Sequence, residues 1–177
     1  MKKIKNLLSF VLILFFFSIN TYLANAEKIV YIDMDKIMQI SKAGKEAISK
    51  INDQKKKDVS KFQKIEKELK SREKDLITKK NVISAEEFNK KLENLSKEIN
   101  NYRTLRQEAI DLSTKSRLNA SADFAKKIKP ILADYASENN IDMIIQKKNI
   151  IMGKTDLDIT NEILKIVDKK INKLKVN

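Results

Sequence analysis

The chain of 177 residues has no cysteine, no histidine, two glycines and one proline. Each shortage removes something. Without cysteine, no disulfide can hold the fold in an oxidising compartment. Without histidine, the commonest general base and the commonest metal ligand are both gone. Two glycines nearly exclude glycine-rich phosphate loops and folds built on many tight β turns. Long helices are what remains.

The first 26 residues read as a secretory signal peptide. Lys2, Lys3 and Lys5 precede an apolar run over residues 7–19. Ala24 and Ala26 then sit at the two positions a signal peptidase reads, so cleavage is expected before Glu27. The run is too short to span a bilayer comfortably as a retained anchor. Removing 26 of 177 residues leaves 151, enough for one domain or one small domain with an appendage. Export also removes nucleic acid as a partner, and four Tyr and seven Phe offer little for base stacking.

Charge is unevenly placed. The whole chain carries +13, yet residues 27–44 sum to zero and residues 131–177 to +1. Residues 45–130 hold 23 Lys and Arg against 14 Asp and Glu, a net +9. A lysine-rich composition throughout would inflate the total but would not leave the ends neutral.

That central segment reads as two helices. Ile48, Lys55, Phe62, Leu69, Leu76 and Ile83 recur every seven residues, the spacing of a coiled-coil stripe. Phe88, Leu92, Leu95, Ile99 and Tyr102 continue a three-four alternation. Between the runs, Ser84 and Glu87 have capping-box spacing, and Ile83 and Phe88 are placed to staple the helix entry. The expectation is an antiparallel helical hairpin that turns near residues 80–84, with arms of about 50–60 Å at 1.5 Å per residue. Past Tyr102 the seam turns to Arg106, Ala109, Ser113, Ser116 and Ala120, facing Lys55 and Asp58, where little burial is available. Pro130 predicts a kink or restart in the second helix.

Residues 27–44 and 131–177 read as one small β-containing body. Residues 28–33 form a short apolar strand, and residues 141–146 and 149–152 read as two more, joined across Lys147 and Lys148. Asn139 and Asn140 offer a helix stop, and Asn149 a left-handed turn position. Asp158 is placed to cap a last helix with an apolar face of Ile159, Ile163, Ile166, Val167, Ile171 and Leu174. Such a core is meagre for a monomer, so assembly is expected through Ile29, Val30, Ile32, Met143, Ile145 and Ile151. The fold class is α+β, mostly α: a long antiparallel coiled-coil hairpin inserted in a small β-strand oligomerisation body.

Asp33 and Asp35, one residue apart after an apolar strand, admit two readings. A phosphoryl-transfer site would use them as nucleophile and acid-base partner, but would also need a distal lysine, metal ligands and a turn around the phosphate. A helix cap needs only a helical start directly after it, and Lys36-Ile37-Met38 supplies one. The cap is preferred, and no catalytic residue, metal or cofactor is expected.

The stretch KIVYIDMDKIMQISKAGKEAI, with NNIDMIIQKKNIIM and DITNEILKIV near the end, resembles the Skp/OmpH family of periplasmic chaperones. The resemblance covers essentially residues 27–174. It implies a homotrimer, a central β body, and three helical arms enclosing a cavity that holds unfolded outer-membrane proteins without ATP. It places the chain in the periplasm, serving outer-membrane assembly. On that reading Lys55, Lys56, Lys57, Lys79, Lys80, Lys90 and Lys91 are candidates for facing a client. Two alternatives stand beside it. One is a non-catalytic envelope protein binding an anionic membrane surface or lipopolysaccharide through the same lysines. The other is a structural coiled-coil spacer.

Overall fold

The structure, a computed structural model, describes residues 27–176. The expected signal segment, with Ala24 and Ala26, lies outside them. In chain order the elements are β1 (Ile29–Ile32), α1 (Met34–Ile40), α2 (Lys42–Thr78), α3 (Ala85–Glu138), β2 (Met143–Gln146) and α4 (Thr160–Lys170). Single 3-10 turns at Lys147–Asn149 and Thr155–Leu157 separate the last two.

β1 is built from Ile, Val, Tyr and Ile, residues that suit a half-buried pleated strand. It pairs in parallel with β2, Ile29 opposite Met143 and Ile32 opposite Gln146. Parallel strands need a long crossover, and here that crossover contains α1, α2 and α3. The Lys28 backbone N–H donates to Asp142 Oδ2 at 2.7 Å and pins the start of the pair. Val30 and Ile32 turn into a core completed by Ile37 of α1, Phe124, Ile128 and Ile131 of α3, and Ile163 and Val167 of α4. Gly44 lets α1 fold back on α2, because a Cβ there would lie 1.8 Å from the Met38 carbonyl oxygen.

The second of the two expected late strands, residues 149–152, does not form. With no glycine for a tight hairpin, Lys147-Lys148-Asn149 winds into a 3-10 turn instead. The left-handed position among the described non-glycine residues is Asn140, at φ 51°, not Asn149. Asn140 closes α3 in a Schellman pattern, with the Ile141 N–H donating to the Ala136 carbonyl at 2.9 Å. Beyond the 3-10 turn the chain passes Tyr31, whose hydroxyl donates to the Lys154 carbonyl at 3.1 Å. Ile151 and Met152 project fully into solvent, at 105% and 90% exposure.

Asp158 acts one residue outside the helix it was expected to cap. Its Oδ1 accepts from the Thr160 N–H at 3.0 Å and from the Thr160 hydroxyl, and its Oδ2 pairs with Lys147 Nζ at 3.0 Å. Thr160 Oγ1 also accepts from the Asp33 N–H at 2.9 Å, tying α4 to the end of β1.

α2 and α3 leave this body side by side and antiparallel. Arg72 reaches Glu98 Oε1 at 2.8 Å, the Phe62 and Tyr102 rings meet edge-on at 6.0 Å, and Arg117 donates to Asn52 at 3.0 Å. At 1.5 Å per residue α2 is about 55 Å long and α3 about 80 Å. α3 exceeds its expected length because it runs through Pro130 without a restart. Pro130 and Lys126, whose carbonyl loses its usual donor to the proline four residues on, are both exposed residues. At the far end Ser84 Oγ accepts from the Glu87 N–H at 3.2 Å and starts α3 after a turn over residues 79–84. Ile83 and Phe88 pack there against a small separate core of Leu69, Leu76 and Leu95. Of Leu92 and Leu95, both expected on the seam, Leu95 is buried and Leu92 is half exposed.

Two outcomes test these assignments. Burial pushes the Asp158 carboxyl up, but hydrogen bonds from Thr160 and Lys147 outweigh it and hold the group below its ordinary pKa of 3.8. The stability it adds is therefore fully present above that value and is lost as pH falls through the lowered one. Asp158→Ala should cost about 1–3 kcal/mol in urea unfolding at pH 7, and less below pH 3; an equal loss at both would contradict the assignment. At the arm's end, Leu95→Ala should open the Leu69–Leu76–Leu95 core locally. Trypsin should then cut after Lys79 and Lys80 at least about tenfold faster, for a loss of about 2 kcal/mol, while the melting of the body stays in place.

Candidate functional site

Asp33 is occupied by the fold. Its Oδ1 accepts from the Lys36 N–H at 2.8 Å, so it caps α1, and Asp35 lies exposed in the first turn of that helix. The pair that raises the question of catalysis is thus a handover from strand to helix.

The basic residues singled out by the sequence lie on α2 and α3 and in the turn between them. Many of the arm's acids are matched locally. Glu46 pairs with Lys50 at 2.6 Å, Glu66 with Lys70 at 2.7 Å, Glu87 with Lys91 at 3.1 Å and Glu93 with Lys97 at 2.6 Å, each four residues apart on one helix. The hydrogen bonds and charges of these lysines hold the Glu46, Glu66 and Glu93 carboxyls below their ordinary range, and Arg72 does the same for Glu98. Among the described residues, Lys55, Lys56, Lys57, Lys79, Lys80 and Lys90 form no ion pair, and all are exposed. Of the seven basic candidates, only Lys91 has an acidic partner. The other six put unpaired positive charge at the middle and the far end of the arm, as part of its net +9.

Aliphatic side chains lie exposed between these lysines, and the seam pattern does not single them out. Val59, Leu105, Ile110, Leu112 and Leu118 are exposed along the middle, and Ile77 and Val82 near the turn. Their signal in the sequence is phase: they are apolar residues outside the seven-residue register.

The middle of the arm is also poorly held. The body's core ends at Ile51 and Ala120, and the core near the turn begins at Ile65 and Tyr102. In between, two clefts of about 540 and 610 Å³ open along the helix pair. Lys55, Asp58, Ala109 and Ser113 line both, so they form the thin wall between them. The wider cleft presents Val59, Phe62, Tyr102 and Ile110 beside Arg106 and Arg117.

The six residues expected to drive assembly divide. Val30 and Ile32 are buried in the chain's own core, and Ile145 is half-buried. Ile29, Met143 and Ile151 are exposed, with Met152 beside the last. No helix among the described residues is long and apolar enough to cross a membrane.

Comparison with known proteins agrees with this geometry. A family model described as outer membrane protein (OmpH-like) matches residues 28–167. A search of curated proteins finds no match. In a crystal structure from Caulobacter crescentus described as an OmpH-like outer membrane chaperone, the same fold recurs with a TM-score of 0.76 at 13% identity, covering 88% of this chain and 92% of that one. The chain belongs to the OmpH-like outer membrane protein family.

Proposed function

We propose that this protein is an ATP-independent periplasmic chaperone that holds unfolded outer-membrane proteins between helical arms and keeps them from aggregating. The observation that carries the reading is the arm surface, where unmatched lysines alternate with exposed aliphatics along a helix pair that is loose in its middle. An unfolded barrel protein exposes both apolar and charged side chains, and such a surface meets both without a fixed site. The family and the chaperone description of the Caulobacter structure support it.

The active form proposed is a homotrimer. Ile151, Met152 and Met143 are apolar and unused by one chain, so they are the side chains a second copy would cover. Three arms of +9 would then surround a cavity with about +27, a field that draws in acidic segments and spreads the arms. Single exposed charge contacts contribute under about 1 kcal/mol each, so affinity comes from their number.

Two measurements test this. Native mass spectrometry should give a trimer for the parent chain, and Ile151→Asp should shift it to monomer while the helical signal persists; a trimer that survives the change removes Ile151 from the interface. For client capture, a urea-unfolded barrel protein is diluted into the chaperone and its aggregation followed. Replacing Lys55, Lys56, Lys57, Lys79, Lys80 and Lys90 by Gln should slow capture several-fold, and added salt should do the same to the parent. Undiminished protection by a protein lacking the arms would refute the cavity mechanism. Loss of binding only to vesicles of anionic lipid would favour a membrane-surface role instead.

A further inference from the structure

Past α4 the chain does not leave the molecule. Residues 171–176 run without regular structure back along the base of the arm, beyond the end of the family match at residue 167. Two bonds fix them to α3. Lys127 Nζ donates to the Lys173 carbonyl at 2.6 Å, and the Lys175 N–H donates to Asp123 Oδ2 at 2.9 Å. The Asp123 side chain is only 11% exposed and pairs with Lys127 at 2.8 Å. Those two donors, the Lys127 side chain first, hold its carboxyl below the ordinary range, so the anion they need is present at neutral pH.

Between the two bonds, Leu174 drops into the core at 7% exposure, in the cluster that contains Ala47 and Ile51 of α2 and Ala120 and Phe124 of α3. With Lys175 and Val176 it lines the cleft that Ile51, Lys55 and Ser116 border. The segment therefore touches both arm helices at the level where their own seam runs out of apolar residues. Ile171 continues the apolar face of α4 and belongs to the body, but Leu174 is three residues further on and faces the arm.

We infer that residues 173–176 are a strap that clamps the base of α2 to α3, so that the arm bends at Lys55 and Ser113 and not at its junction with the body. The strap thereby positions the arm and sets the range of client sizes it accepts, a role that rests on the chaperone function proposed above. Removing the clamp uncovers Ile51 and Ala120 at the edge of the body's core, beyond which the two helices bury little against each other.

The test uses two full-length variants, Leu174→Ser, which empties the core position, and Asp123→Ala, which removes the anchor of the strap. Hydrogen exchange is followed without client. Both variants should raise exchange of amides in residues 47–54 and 116–124 by about tenfold or more, with residues 163–167 of α4 and residues 69–76 near the turn unchanged. Unchanged rates at the arm base, or a uniform rise that includes α4, would overturn the strap, the second outcome meaning that the tail only completes the body. Protection is then compared for a small and a large unfolded barrel protein. A changed ratio between the two clients is expected, and an unchanged ratio would overturn the positioning role. Failure of the parent chain to protect either client would refute the chaperone reading alone, since the exchange measurement needs no client.

Discussion

Two apolar cores share one pair of helices, and between them the seam offers only Phe62 among small, polar and charged residues. The body's core climbs the arm as far as Ile51 and Ala120, and the core near the turn comes back only to Ile65 and Tyr102. The stretch between is walled by Lys55, Asp58, Ala109 and Ser113. Apolar burial contributes about 25 cal/mol per Å², so a gap of small and charged residues leaves the helices joined by little more than their own ends. Each helix stays intact through its own hydrogen bonds, while the pairing between them is soft. A limb that is fixed at its root, closed at its end and loose in its middle results from this one discontinuity.

Charge acts on the same limb. Glu46, Glu66, Glu87 and Glu93 pair with lysines four residues away, while lysine runs such as Lys55-Lys56-Lys57 form no ion pair among the described residues. Those charges are exposed and cost little to keep in water, but they repel one another wherever arms converge. Repulsion and a soft seam both favour an open arm. The aliphatic side chains of Val59, Ile110 and Leu118 stay about half exposed or more on this limb.

Much of this was legible in the residues. The seven-residue repeat through Phe62, Leu69 and Leu76 marks α2, and Ser84 with Glu87 marks where α3 begins, because both signals depend on neighbours within one or two turns. The soft seam was equally visible as small and polar residues at seam positions. Features that depend on distant partners were not legible. Residues 149–152 look like a strand by composition, yet Lys147-Lys148-Asn149 winds into a 3-10 turn in place of a tight hairpin, and the outer edge of β2 stays unpaired among the described residues. Pro130 looks like a kink or restart, yet the helix continues through it from Ala85 to Glu138, with Pro130 on an exposed position. The exposed leucines and Ile110 are marked in the sequence only by falling outside the seven-residue register, and the packing of one helix on the other shows that they stay exposed.

The central claim is that the seam gap is what lets the arm move. Its most direct test is a distance distribution between spin labels placed at Lys80 by the turn and Asn161 on α4, read by pulsed electron resonance with unlabelled copies in excess. The parent should give a broad distribution. Filling the gap with Lys55→Leu and Ser113→Leu should join the two cores and narrow it markedly while the helical content stays the same. An equally broad distribution in the filled variant, with the leucines buried, would mean that the motion arises elsewhere and that the discontinuous seam does not govern the arm.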